Sequence, residues 1–251
     1  MKSAFIYVLA IFSILGCQNK TSDKLTIATA ANVQFAMEEL TQLFTRETGV
    51  ETEIILGSSG KLLAQIKEGA PYDVFVSANM KYPDELYRLG LTKKAPEVYA
   101  KGKLVLWSIR DSLTPSIEVL SADLVKHIAI ANPKTAPYGV ATKQFLNTIG
   151  VYNKIKNKLV FGESISQTNQ FIISGAAEIG FTALSVVNSP KMQGKGKWME
   201  LDTKEYTPIA QGAVVIKKKG KNTDTAEQFY AFLFSPMAQE VLRKYGYITN
   251  E

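Results

Sequence analysis

Short apolar runs alternate along the chain with stretches whose apolar residues recur at helical spacing. Leu25-Thr26-Ile27-Ala28 has the length and composition of a buried strand. From Asn32 onward, Val33, Ala36, Met37, Leu40, Leu43 and Phe44 fall on one helical face, and Gly49 stands where that helix should stop. Glu53-Ile54-Ile55-Leu56 predicts a second strand. Gly57-Ser58-Ser59-Gly60 then predicts a turn into a helix that carries Leu62, Leu63 and Ile66 and closes near Gly69. Pro71 precedes a third strand, from Asp73 to Val76.

The pattern restarts after Lys101. Lys103 to Ile109 reads as a strand, followed by a strand at Ile128-Ala129-Ile130 and a helix led by Tyr138-Gly139 with Phe145, Leu146 and Ile149. Leu159-Val160-Phe161 is a strand, Ser166 to Ser174 a helix, and Ile179-Gly180-Phe181 and Ala213 to Ile216 are strands again. The C-terminus ends in helices, the last opened by Ser235-Pro236, a cap followed by a residue suited to the first turn. Strand–helix alternation of this kind gives βαβ units, so the fold class is α/β, with mixed, mostly parallel sheets in two lobes. No internal repeat or low-complexity segment is visible.

The N-terminus indicates where the protein resides. Lys2 precedes an apolar run from Ala4 to Leu15, too short to span a bilayer comfortably, and then Gly16 and Cys17. This is the build of a secretory signal, residues 1–16. Ile14-Leu15-Gly16-Cys17 resembles the lipobox of bacterial lipoproteins, which implies that Cys17 is lipidated and that residues 17–23 form a polar tether. Cys17 is the only cysteine, so no internal disulfide exists.

Composition narrows the function. The 251 residues are 46% hydrophobic and 21% charged, as in an ordinary globular protein. The net charge of +6, nearer +5 without Lys2, comes from scattered lysines with one run at Lys217, Lys218 and Lys219. That is a solvated basic surface and does not point to nucleic acid. The single histidine, His127, provides no cluster for a metal or for acid–base work, and no Ser-His-Asp set or phosphate-cradling GxxxxGK[ST] occurs. The chain therefore reads as a non-enzyme without a cofactor.

Four strand-to-helix junctions share one design: Ala30-Ala31-Asn32, Ser58-Ser59-Gly60, Ala136-Pro137-Tyr138-Gly139, and Gly162-Glu163-Ser164-Ile165-Ser166. Ligands of open α/β sheets bind outside the carboxyl ends of the strands. The first N–H groups of a helix have no internal partner and carry partial positive charge, which suits an anion. Asn32 and Ser59 add side-chain donors, and Gly60 and Gly139 permit close backbone approach. Taken singly, Asn32 and Ser59 are more often only helix caps, Pro137-Tyr138-Gly139 only a turn, and Ser164 and Ser166 solvated loop serines.

At these junctions the sequence resembles the molybdate-binding proteins of bacterial ABC importers. The resemblance runs from about Leu25 to Tyr247 and includes Glu68-Gly69-Ala70-Pro71-Tyr72-Asp73-Val74-Phe75-Val76-Ser77-Ala78, Ala131-Asn132-Pro133 and Tyr245-Gly246-Tyr247. It implies a two-lobed periplasmic-binding-protein type II fold, with residues 24–101 plus 211–251 in one lobe, 102–210 in the other, and the ligand between them. It further implies that molybdate or tungstate is held at Asn32 and Ser59, by the Tyr138 N–H after a proline, and by the Ile165 N–H. The molybdenum is then bound only as its oxyanion. Glu163-Ser164 stands where the family has an acidic pair. A tyrosine hydroxyl that some members use is missing from Gly180-Phe181-Thr182-Ala183, so the site has one donor fewer or draws on another such as Tyr138. The implied partners are an ABC permease and a lipid anchor at the periplasmic or extracellular membrane face, the chain itself being a monomer. The residues alone leave sulfate, phosphate or an organic anion open as ligand, and an enzyme or an adhesive lipoprotein as other classes.

Overall fold

The computed structural model describes residues 24–218 and 223–249. Cys17, the signal and tether, and Lys219 lie outside them. In chain order the strands are β1 (Leu25–Ala30), β2 (Thr52–Gly57), β3 (Val74–Val76), β4 (Glu97–Gly102), β5 (Leu104–Ser108), β6 (Ile128–Ala131), β7 (Leu159–Gly162), β8 (Ile179–Ala183), β9 (Lys197–Glu200) and β10 (Ile209–Val215). The α-helices are α1 (Gln34–Thr48), α2 (Ser59–Lys67), α3 (Lys81–Arg88), α4 (Pro137–Thr148), α5 (Tyr152–Ile155), α6 (Ile165–Ile173), α7 (Leu184–Val187), α8 (Asp224–Leu233) and α9 (Pro236–Lys244).

These strands form two five-stranded sheets, ordered β2-β1-β3-β10-β4 and β7-β6-β8-β5-β9. In the first, β1 lies parallel to β2 and β3, while β10 runs antiparallel to β3 and β4. In the second, β6 lies parallel to β7 and β8, while β5 runs antiparallel to β8 and β9. The fold is therefore α/β with mixed sheets in two lobes. Only Lys103 separates β4 in one sheet from β5 in the other. The chain returns through the segment between β9 and β10, and β10 is bulged between Gln211 and Gly212 where it pairs with β4. Near the C-terminus, Ile248 bridges to Lys101 of β4.

Burial explains the layers. On one face of the first sheet, Ile27, Met37, Phe44, Phe229 and Leu242 form a core between β1, α1, α8 and α9. On the other, Ala28, Leu62, Phe75 and Leu86 pack β1 and β3 against α2 and α3. The second lobe is built around Trp107, Phe145, Leu146 and Phe181. Each fully buried side chain of this size contributes about 1.5–3 kcal/mol, so both lobes are held by their own interiors.

Caps set the helix ends. Gly49 adopts φ 72°, and its N–H returns to the Thr45 carbonyl at 2.8 Å, closing α1. Ser235 caps α9, its Oγ accepting from Ala238 N–H, with Pro236 in the first turn. One start differs from the expectation: the helix does not begin at Asn32. Ala31–Val33 form a 3-10 turn and α1 begins at Gln34. The tighter turn leaves Asn32 inside the junction, where its backbone and side chain bond to groups other than the α1 ladder.

Candidate functional site

The carboxyl ends of β1 and β2 in one lobe meet the turns after β6 and β7 in the other. Between them lies a narrow cavity, partly open to solvent, lined by Ala30, Ala31, Asn32, Gly57, Ser58, Ser59, Ala78, Ala136, Pro137, Tyr138 and Ile165, with ≈ 190 Å³ of empty space counting its open side. All four residues singled out from the sequence, Asn32, Ser59, Tyr138 and Ile165, line this one space. No lining residue carries a charge.

Each junction supplies a donor for a definite local reason. Ser58, not Ser59, is the cap of α2, its Oγ accepting from Lys61 N–H. Ser59 is the first residue of α2 and fully buried. Its Oγ accepts from Ala78 N–H at 3.0 Å, so the hydroxyl keeps its own proton to donate. Ser164 caps α6 by accepting from Gln167 N–H, which leaves Ile165 as the first residue of that helix. Ala136 precedes α4 with no side-chain cap, and Pro137 in the first turn is followed by Tyr138. The N–H groups of Ser59, Tyr138 and Ile165 thus sit where no carbonyl of the same helix can accept from them. The helix dipoles add positive potential at these points.

Asn32 is arranged differently. It holds no cap position, since Ala30 and Val33 cap the 3-10 turn and α1, and both protons of its amide are taken: Nδ2 donates to Gln211 Oε1 at 2.9 Å and to Tyr247 Oη at 3.1 Å. Its carbonyl accepts from Ser185 Oγ at 2.7 Å. What this residue has left to give the cavity is its backbone N–H. The Tyr138 hydroxyl points away too, accepting from Gln211 Nε2 at 3.4 Å.

The lobes are closed on each other around the cavity. Gly60 N–H donates to the Thr135 carbonyl at 2.9 Å across the cleft. A Cβ at Gly60 would stand 2.9 Å from that oxygen, so only glycine allows the approach. Ser58 Oγ donates to Glu163 Oε1 at 2.6 Å, Ser166 Oγ to Gln34 Oε1 at 3.2 Å, and Lys191 pairs with Glu38 at 2.6 Å. The Glu163 carboxylate is therefore engaged at the rim and does not line the cavity.

Sequence reasoning passed over the layer behind the cavity: Gln211, Tyr99, Tyr247 and Ser185. Tyr99 and Tyr247 are buried, and burial drives both hydroxyls above the usual tyrosine range. Tyr247 lies in a terminal motif visible in the sequence, but nothing there told what it touches.

The sequence profile of bacterial extracellular solute-binding proteins matches residues 25–248. A molybdate-binding protein of Azotobacter vinelandii is 38% identical over 237 residues, 93% of each chain. One of Rhodobacter capsulatus is 40% identical over 225 residues, 89% of this chain and 87% of the relative. The solved structure of the Azotobacter vinelandii periplasmic molybdate-binding protein superposes with a TM-score of 0.85 at 36% identity, covering 91% of this chain and 100% of that one.

Proposed function

The chain belongs to the family of bacterial extracellular solute-binding proteins, and from that premise we propose that it captures molybdate, or the isosteric tungstate, outside the cytoplasm and delivers it to an ABC permease. One observation supports this above the rest: donors from both lobes converge on a buried cavity lined by no charged side chain. The ligand-binding set we propose is the Ser59 hydroxyl with the backbone N–H groups of Asn32, Ser59, Tyr138 and Ile165.

A tetrahedral dianion offers an acceptor to each of these donors. Hydrogen bonds to a charged group contribute about 1.5–3 kcal/mol each. Several together offset desolvation and leave about −8 to −12 kcal/mol, a micromolar to nanomolar dissociation constant. Because the donors belong to both lobes, the anion binds the closed state better than the open one and shifts the population toward it. Release requires that the lobes part. Selection against phosphate follows from the same donor set: a protonated phosphate oxygen needs an acceptor, and a buried O–H without one is costly. Selection against sulfate rests on size. The chain works by binding and release, without a covalent step.

The lobe bounds we propose move the two crossings of residues 24–101 with 211–251, and 102–210, to the strand ends: residues 24–102 with 209–251 form one lobe and 103–208 the other. Cleavage before Cys17 and its lipidation would tether the monomeric protein to the membrane face through residues 17–23.

Calorimetry and thermal melting with molybdate, sulfate and phosphate test this reading. Molybdate at a hundredfold excess over its dissociation constant stabilises the wild-type chain by about 2.7 kcal/mol, and sulfate and phosphate at the same concentration give a smaller shift. Ser59→Ala weakens molybdate by about tenfold or more, the loss of one charge-assisted bond. Asn32→Ala weakens it too, and also lowers the stability of the ligand-free protein by about 2 kcal/mol, because buried partners of its amide are left unpaired. Unchanged molybdate affinity in both variants overturns the assignment.

A further inference from the structure

Behind the cavity lies a buried polar layer that crosses the hinge, and one side chain joins its parts. Gln211 is fully buried on β10. Its Oε1 accepts from Asn32 Nδ2 at 2.9 Å and from Tyr99 Oη at 2.8 Å, and its Nε2 donates to Tyr138 Oη at 3.4 Å. Asn32 opens the first junction of one lobe, while Tyr138 stands in the first turn of α4 in the other. Gln211 itself sits at the bulge of β10, beside the point where the chain passes between lobes. A bulge re-aims the side chain it carries.

Two further facts give this arrangement a purpose. With both amide protons of Asn32 occupied, the orientation of its backbone N–H depends on the groups that hold its side chain. Those groups are Gln211 and Tyr247, joined by Ser185 Oγ, which donates to the Asn32 carbonyl from the opposite lobe at 2.7 Å. The hinge is also shaped to admit the contact: a Cβ at Gly102, the last residue of β4, would overlap the Tyr138 hydroxyl and the Gln211 amide.

We propose that Gln211 is a positioning residue of the anion site, fixing the Asn32 junction for ligand and tying it to the Tyr138 helix across the hinge, so that it sets how firmly the lobes close. The inference rests on the binding function proposed above. Its consequence is kinetic: the bond to Tyr138, made across the lobes on closure, slows dissociation, while the bond to Asn32 within one lobe orders the Asn32 N–H before the anion arrives.

Gln211→Leu, which keeps most of the side-chain volume and removes the amide, is compared with wild type using molybdate and sulfate. Association and dissociation rates are followed by stopped-flow, lobe closure by small-angle scattering, and the ligand-free protein by thermal melting. The expected result is molybdate affinity reduced by about tenfold or more, chiefly through faster dissociation, with incomplete closure and a lower molybdate-to-sulfate affinity ratio. Ser185→Ala, which removes one hydroxyl from the same layer, gives a smaller loss in the same direction. A folded Gln211→Leu chain with wild-type dissociation rate, closure and affinity ratio overturns the inference. So does a loss that only follows the melting temperature while the ratio and closure stay unchanged. Should Gln211→Leu fail to fold, Ser185→Ala decides, and wild-type dissociation there overturns the inference as well. A wild-type chain that gives no response to molybdate overturns instead the function on which the inference rests.

Discussion

Three phenols meet near the cavity between the lobes, those of Tyr99, Tyr138 and Tyr247, and all are buried. Burial pushes each hydroxyl above the ordinary tyrosine range, and the neighbouring phenols push the same way on Tyr99 and Tyr138. In the folded protein these groups stay neutral where a free tyrosine would ionise, at about pH 10. Below that pH they add no charge beside the proposed anion site. Above it the unfolded chain loses protons that the folded chain retains, so stability begins to fall there. Molybdate affinity measured by calorimetry is expected to be flat between about pH 7 and pH 9, and a steep decline inside that window would place an ionising group at the site. At this scale the sequence was legible in part. Ser59 and Tyr138 could be singled out because each stands at a strand-to-helix turn. That Ser58 and not Ser59 caps α2 could not, since adjacent serines look alike until the helix start is fixed. Gln211 was invisible for a different reason. Its partners Asn32 and Tyr99 are 179 and 112 residues away, and only the folded sheet brings them together.

Among the elements, the joint between β6 and β8 depends on one carboxylate. Glu178, just before β8, accepts from Lys126 N–H at 2.9 Å and His127 N–H at 2.7 Å, and pairs with Arg110 at 3.0 Å. Burial alone would push its pKa up, but the backbone donors of His127 and Lys126 and the Arg110 charge outweigh this and hold it below the usual carboxylate range. A depressed folded-state pKa gives stability that is present above about pH 4.3 and lost as pH falls further. Glu178→Gln is therefore expected to lower unfolding free energy by about 1–2 kcal/mol at neutral pH. In urea melts the gap between variant and wild type should close as pH drops below about 4. A gap that widens on acidification would contradict the sign. Strands buried on both faces, such as β1, β5, β6 and β8, were readable as continuous apolar runs. The structure adds β4, α3 and β9, which the pattern did not reveal. β4 reads EVYAKG and is stabilised as a strand by β10, more than a hundred residues later. α3 reads KYPDELYR, with a proline inside and few apolar positions. β9 is a mostly exposed edge strand.

For the molecule as a whole, the restart of the pattern after Lys101 foretold two lobes, and the sheets do part at Lys103. The likeness of the two sheet orders went unseen in the sequence, because topology repeats there without residues repeating. The insertion of β10 between β3 and β4 has a consequence for biogenesis. As the polypeptide emerges from N- to C-terminus, β1, β2 and β3 appear early, yet β4 has no strand neighbour in its sheet until residues 209–215 are made. The second lobe is contiguous in the chain and closes shorter loops. During refolding, pulsed hydrogen exchange should find amides of β5, β6 and β8 protected before those of β4 and β10, and the reverse order would refute this. A chain truncated before residue 209 would then hold one finished half and one waiting for its missing middle, so the segment made nearly last is the keystone of the part that began first.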